Sequence, residues 1–283
     1  MREKLKDSAD MQNRITDREQ RVEEARKFNL LSNVFMSVAL NDKPACQYVL
    51  RILTGIDDLV VKEVRGQYRI SKIESHDAIL DILAEDKAGR LYNMEIQRAD
   101  TIDHARRTRF YNAMIDSEYL EKGKDYAELP EVYMIYISET DLWKAGYTTY
   151  LVEKYFENTN VKYEDGQHIL YINAAIDDGS ETAKLMKYFR KADPEDMAHG
   201  ALSKRVHYLK REEGGYNEMC EVADRIYQEG REQGIEQGKL ETQKETARNL
   251  VEIGFTEDKI AQILNISRSL VRQLLSDGIV PAK

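Results

Sequence analysis

Twenty residues constrain this chain more than any others. From Ala78 to Gln97 it reads AILDILAEDKAGRLYNMEIQ, two apolar segments flanking a turn, each interrupted by an acid where a buried strand carries valine or leucine. The DKAG stretch fits a type I turn with Gly89 as its left-handed residue. Such a loop pairs Asp86 with Arg90 and, counting back, sets Asp81 across from Glu95. Directly opposed residues of an antiparallel pair have Cβ atoms roughly 4.5–5.5 Å apart. Two carboxylates that close repel each other unless one is protonated or a cation lies between them. Period-two alternation puts Glu95 and Gln97 on one face and Tyr92, Met94 and Ile96 on the other. The resulting oxygen-rich cluster suits Mg²⁺, which takes one or two carboxylates and keeps several waters. A surface hairpin whose acids simply meet solvent is the alternative reading.

The flanking pattern supplies the rest of the fold. Apolar residues recur at helical spacing from Asn29 to Leu53, with Pro44 fitting a helix start after Asn41-Asp42 and Gly55 a stop. The runs LVVKEV, QYRISKI, AILDILA and LYNMEIQ read as three strands. A helix is expected from about Thr101 to Lys122, and EVYMIYIS (Glu131 to Ser138) as a further strand. The order is helix, three strands, helix, strand. Residues 139–210 are expected to form a second layer of short elements, including a strand at HILYINAA (His168 to Ala175) and a helix at MKYFRKADPEDM. The helix after the hairpin carries Arg106, Arg107 and Arg109 with His104 and Tyr111. Cations beside an acidic cluster can hold a phosphate backbone, although a solvated face paired with Asp100 and Asp103 is the commoner arrangement.

Composition narrows the function classes. A net charge of −9 argues against a protein that coats nucleic acid by bulk attraction, while leaving room for a local basic groove. Cys46 and Cys220 show neither zinc-site nor disulfide spacing. The longest apolar run, Val132 to Ile137, is too short to span a bilayer, and the N-terminus has no signal-peptide pattern. A cytoplasmic protein without a membrane partner is therefore expected.

Three regions are expected: a charged N-terminal helix over residues 1–28, a main domain over 29–228, and a charged helical tail over 229–283. Gly230, Gly234 and Gly238 lie four apart in that tail, which reads either as self-association of two tails into a homodimer or as a flexible connector. At its end, GFTEDKIAQILNISRSLVRQLL has a helix-turn-helix layout. Ile260, Ile263 and Leu264 form one apolar face and Leu270, Val271, Leu274 and Leu275 the next. Arg268, Ser269, Arg272 and Gln273 are placed for a DNA groove, or the unit is an αα-hairpin that docks elsewhere.

The spacing of Asp81 to Glu95-Ile96-Gln97, on an αβββαβ order, resembles the PD-(D/E)XK nuclease superfamily. The closer likeness is to its Rpn branch, the recombination-promoting nucleases or transposase-like proteins. LDILAEDKAGRLYNMEIQR, RRTRFYNAMIDSEYLEKGKDY, LPEVYMIYISETD, DGQHILYINAA, ADPEDMAHGALSKRVHYLKREEGG and MCEVADRI carry that likeness, over about residues 30 to 228. The resemblance implies an α/β restriction-endonuclease-like core, a mixed sheet flanked by helices with a helical C-terminal tail. It also implies Mg²⁺-dependent hydrolysis of a DNA phosphodiester, with Mn²⁺ able to substitute. Asp81, Glu95 and the Ile96 carbonyl would be metal ligands, and Asp81, Glu95 and Gln97 the catalytic set. Arg107, Arg109 and Tyr111 match an RxRFY-type helix motif facing DNA. Gln97 stands where the superfamily usually has Lys and the Rpn branch commonly has Gln; Arg107 or Arg109 from the helix, or Lys72 from the neighbouring strand, would compensate for the missing charge. A catalytically weak protein that binds DNA through its tail is the second reading. The first-helix acid of the superfamily has only Glu23 and Glu24 as candidates.

Overall fold

In the computed structural model, residues 27–71, 78–97, 104–264 and 266–276 are described. Lys72, Asp100, Asp103, Glu23, Glu24 and nearly all of the expected N-terminal helix lie outside them. Two short helices come first, α1 (Asn33–Leu40) and α2 (Lys43–Thr54). The Asp42 carboxylate accepts from the Ala45 amide at 3.0 Å to open α2, Pro44 sits in its first turn, and Gly55 closes it at φ +70°. Strand β1 (Val61–Ile70) runs through both LVVKEV and QYRISKI as one strand. Strands β2 (Ala78–Asp86) and β3 (Leu91–Gln97) form the expected hairpin. Helix α3 (His104–Tyr119) ends earlier than expected. It is followed by β4 (Val132–Ser138), β5 (Thr149–Val152), β6 (Gln167–Asn173), α4 (Glu181–Lys191), α5 (Gly200–Arg211) and α6 (Glu213–Glu252).

The six strands among the described residues share one sheet in the order β1-β2-β3-β4-β6-β5. β1, β2 and β3 form an antiparallel meander, β3, β4 and β6 are parallel, and β5 runs antiparallel to β6. The elements after residue 139 thus do not form a separate layer, because β6 and β5 extend the first sheet. One sheet face packs on α1, α2, α4 and α5 through Phe35, Val49, Ile82, Tyr92, Met94, Phe189 and Val206. The opposite face packs on α3 through Leu80, Leu83, Leu91, Met114, Ile115 and Met134. This three-layer α/β arrangement is the expected fold class.

The chain divides into two compact units between Ala223 and Asp224. In the second, the end of α6 packs with α7 (Glu257–Leu264) and α8 (Arg268–Ser276) around Ala247, Ile260 and Val271. Ile263, expected on the apolar face, is instead exposed. Among the described residues, and beyond its own helix backbone, nothing lies within 4 Å of a Cβ built at Gly238. No helix among the described residues is long and apolar enough to cross a membrane.

The hairpin turn is locked from inside. Asp86 is buried, and its carboxylate accepts from the amides of Ala88 and Arg90 at 2.9 and 3.0 Å, from Arg90 Nε at 2.7 Å and from the Tyr92 hydroxyl at 2.9 Å. Gly89 takes φ +82°, and the Asp86 amide donates to the Arg90 carbonyl at 3.0 Å. Burial alone would raise the Asp86 pKa. The hydrogen bonds from Arg90 and Tyr92 outweigh that and hold it below the ordinary carboxylate value. Asp86→Ala is expected to cost roughly 2–3 kcal/mol at neutral pH, because it strands several donors. A depressed folded pKa means that this contribution is present above the unfolded carboxyl pKa and is lost as pH falls through the folded one. Urea melts should therefore show the gap to wild type closing in acid.

Candidate functional site

The β2–β3 ladder runs through Leu83–Asn93 to Ile82–Met94, and one step further the same register sets Asp81 against Glu95. There the carboxylates take over main-chain partners. Glu95 Oε1 accepts from the Asp81 amide at 3.2 Å, and Asp81 Oδ2 accepts from the Ile96 amide at 3.1 Å. In a strand the N–H and C=O of one residue point to the same side, so the Ile96 carbonyl is turned toward the Asp81 edge as well. Side-chain alternation in β2 slips at this point. Ile82 and Ala84 lie in the larger core, whereas Leu80 and Ala78 join Leu83 in the smaller one. The neighbouring strand shows why. Gln67, between the pairs Gly66–Ile82 and Tyr68–Leu80, sits at φ +51°, and from there its side-chain Nε2 donates to Asp81 Oδ1 at 3.1 Å. A non-glycine residue in the left-handed region is costly and persists where the surroundings fix it. Gly66 beside it lets β1 approach α1 closely, since a Cβ there would lie 3.3 Å from the Ser37 carbonyl oxygen.

Helix α3 covers this pair. Arg107 Nη1 donates to Gln97 Oε1 at 3.1 Å, its Nε and Nη2 donate to the Tyr111 hydroxyl at 3.2 and 2.9 Å, and Nη2 lies 3.9 Å from Glu95 Oε2. Arg107 and Tyr111 are four residues apart and share one helix face. Asp81, Glu95, Gln97, Arg107 and Tyr111 thus come together. Arg109, two residues from Arg107, is exposed on another side of α3. Arg268 and Arg272 belong to the second unit, where they pair with Glu257 at 3.3 and 2.8 Å, and Arg268 also with Asp258 at 3.0 Å.

Three neighbours went unread in the sequence: Gln67, Asn93 and Tyr136. Asn93 is fully buried next to Glu95 in a small cavity that Arg107, Thr108, Tyr111 and Tyr136 also line. Its amide makes no hydrogen bond of ordinary geometry, yet it favours the charged form of Glu95. Tyr136 is the β4 partner of Glu95, and its hydroxyl lies 2.9 Å from His104 Nδ1. The Glu-x-Gln pattern extended back to Asn93-x-Glu95 is the signal that could have found Asn93.

Both acids are under electrostatic tension. Burial raises the Asp81 pKa against the Ile96 amide, Gln67 and Arg107. Burial first, and then the charge of Asp81, push Glu95 well above its ordinary value, opposed by Arg107, the Asp81 amide and Asn93. Among the described residues no group of three or more His, Cys, Asp or Glu side chains is arranged to hold a metal. The donors here are two carboxylates and a turned carbonyl, all hard oxygen. Such a set fits a small divalent cation that keeps waters and completes its shell with phosphate oxygen. A cation there would also offset the repulsion that burial imposes.

In chelator at neutral pH, Glu95→Gln keeps the acceptor for the Asp81 amide and removes the cost of burying an acid whose pKa burial has raised. Its melting temperature is expected to rise by roughly 2–5 °C. An acid with a raised folded pKa loses stability as pH climbs from the unfolded value through the folded one. The advantage of the variant should therefore fade as pH drops to the ordinary carboxylate range, which thermal melts across pH would show.

The family model described as PD-(D/E)XK nuclease family transposase matches residues 59–214. No curated protein and no solved structure matches the chain. The match covers more than half of the 283 residues and contains the whole six-stranded sheet, α3 and the Asp81, Glu95, Gln97 and Arg107 cluster. Nucleases of this superfamily typically use divalent metal ions. On the sheet, the hairpin and that match, the chain belongs to the PD-(D/E)XK nuclease family transposases.

Proposed function

We propose that this chain is a metal-dependent DNA endonuclease of the recombination-promoting, transposase-like type. The observation that carries this reading is the pair of buried carboxylates, Asp81 and Glu95, interlocked through each other's strand amides beneath Arg107. Asp81, Glu95 and the Ile96 carbonyl would hold Mg²⁺, or Mn²⁺ in its place. When bound, the ion lowers the pKa of a coordinated water and offsets charge developing on the phosphate. Gln97 carries no charge of its own, and Arg107, hydrogen-bonded to it, supplies the cation that a lysine would bring. A half-exposed guanidinium held by Tyr111 can grip a phosphate oxygen in a fixed orientation. Arg109, exposed on another side of the helix, would contact the DNA backbone away from the cut. DNA contact by Arg268 and Arg272 would first have to break their pairs with Glu257 and Asp258.

Plasmid cleavage in Mg²⁺ or Mn²⁺ tests the reading. Asp81→Asn, Glu95→Gln and Arg107→Ala are each expected to slow cleavage by roughly 10²–10³-fold. Equal cutting by wild type and by the double variant at positions 81 and 95 would remove it. Retention of plasmid without any cleavage by wild type would favour the catalytically weak DNA-binding protein that Gln97 leaves open.

A further inference from the structure

The strand registers align more than the two acids. Glu95 pairs with Tyr136 on β4, Tyr136 with Tyr171 on β6, and Tyr171 with Tyr150 on β5. One straight row therefore crosses the sheet from the acids to its edge, on the face covered by α3. The rings of Tyr136 and Tyr171 lie 5.7 Å apart, and the Tyr171 hydroxyl lies 3.3 Å from Thr108 of α3. Tyr136 and Tyr171 are buried, but the row surfaces at its outer end. Trp143 stands edge-on to Tyr171 at 5.4 Å and is 48% exposed, while Tyr147 stands edge-on to Tyr150 at 6.0 Å and is 62% exposed.

The loop that presents these two rings is braced at both ends. The Asp141 carboxylate accepts from the Tyr150 hydroxyl at 2.6 Å, the Lys144 amide at 3.0 Å and the Gly146 amide at 2.9 Å. Asn173 Nδ2 donates to the Tyr147 carbonyl at 3.1 Å, and the Asn173 amide donates to the Thr148 carbonyl at 2.7 Å. Large apolar rings held out to solvent on a fixed loop, with the exposed Lys144 between them, offer flat faces beside a positive charge. Nucleic-acid bases are flat partners that stack on such faces regardless of sequence, and they are available only where a strand is unpaired.

We propose that Trp143 and Tyr147 form a stacking platform for unpaired bases of a nucleic-acid strand whose backbone reaches the Asp81–Glu95 pair. Two to three strand spacings separate Glu95 from the platform, about 10–15 Å. At about 3.4 Å per stacked nucleotide, that is roughly three to four nucleotides. The platform deepens the nuclease reading by naming its substrate class, DNA with a gap, flap or single-stranded stretch beside the cut. Its binding test nevertheless stands apart from cleavage.

Trp143 is the only tryptophan of the chain, so its fluorescence reports the platform directly. The full chain in chelator is titrated with a short mixed-sequence single strand, the same sequence as blunt duplex, and a duplex carrying a short gap. Fluorescence is followed alongside the anisotropy of labelled DNA. Quenching by the single strand and the gapped duplex, but not by the blunt duplex, is expected. Tyr147→Ala and Trp143→Ala should each weaken single-strand binding by roughly 10-fold and leave blunt-duplex affinity unchanged. Binding with unaltered Trp143 emission, equal quenching by blunt duplex, or no binding at all would overturn the platform. So would a protein-concentration-dependent emission shift without DNA, which would assign the rings to contact between copies of this chain. Plasmid cleavage that survives Trp143→Ala while quenching is absent from wild type would leave the nuclease reading standing and remove the platform alone. Quenching by single strand without any plasmid cleavage would do the reverse.

Discussion

A slip of one residue between β2 and β3 would turn Glu95 and Gln97 away from α3 into the larger core and turn Tyr92 and Met94 out of it. Asp86 stands against that slip. Its carboxylate is inside the hairpin, bound to two turn amides, the Arg90 guanidinium and the Tyr92 hydroxyl, while Gly89 supplies the left-handed residue that the turn needs. Each of those partners exists only in one register. The polar network at the turn thus fixes, five residues away along β2, which side chain faces which at the site.

The site itself works in the opposite sense. Where Asp86 is satisfied, Asp81 and Glu95 share too few donors for their charge, and burial drives both pKa values up. A fold keeps such a pair only where neighbouring structure imposes it, and here three constraints do so. The hairpin register sets the acids opposite each other, the left-handed Gln67 bends β1 toward Asp81, and α3 closes over Glu95 with Arg107. On the proposed function, an incoming cation would relieve tension of this kind, and local stability and cation affinity would then oppose each other at the same two residues.

Much of this was written locally in the chain. The DKAG turn, the alternation in LYNMEIQ and the Asp42, Pro44 and Gly55 boundaries of α2 depend on neighbours within a few residues, so they could be read directly. Gln67 could not, because its role depends on a positive φ at an unremarkable residue and on a partner fourteen positions away. Tyr136 has the same difficulty, since only the parallel register of β3 and β4 brings it beside Glu95. Strand β5 is four residues long and largely exposed, too short a run to stand out in the sequence as the seven residues of β4 do. Choosing between Arg107 and Arg109 required knowing which face of α3 meets the sheet. The helix has a mixed surface, with Thr108, Met114 and Ile115 its buried residues, so periodicity alone did not settle that.

The topology explains why acids and aromatics gather at one end of the sheet. β3 is the strand at which the antiparallel meander becomes a parallel sheet, pairing with β2 on one side and β4 on the other. From there the carboxyl ends of β3, β4 and β6 finish level, at Gln97, Ser138 and Asn173. Open α/β sheets bind ligands beyond the carboxyl ends of their strands, where connections leave in different directions. In this chain the connection from β3 leads into α3 and brings Arg107 back over Glu95. The connection from β4 carries Trp143 and Tyr147 and is tied to the end of β6 through Asn173. A strand of nucleic acid lying across that end would meet a charged grip at one point and flat aromatic faces at the next. Both follow from the same parallel register, so a change that shifts β4 against β3 should disturb the two together.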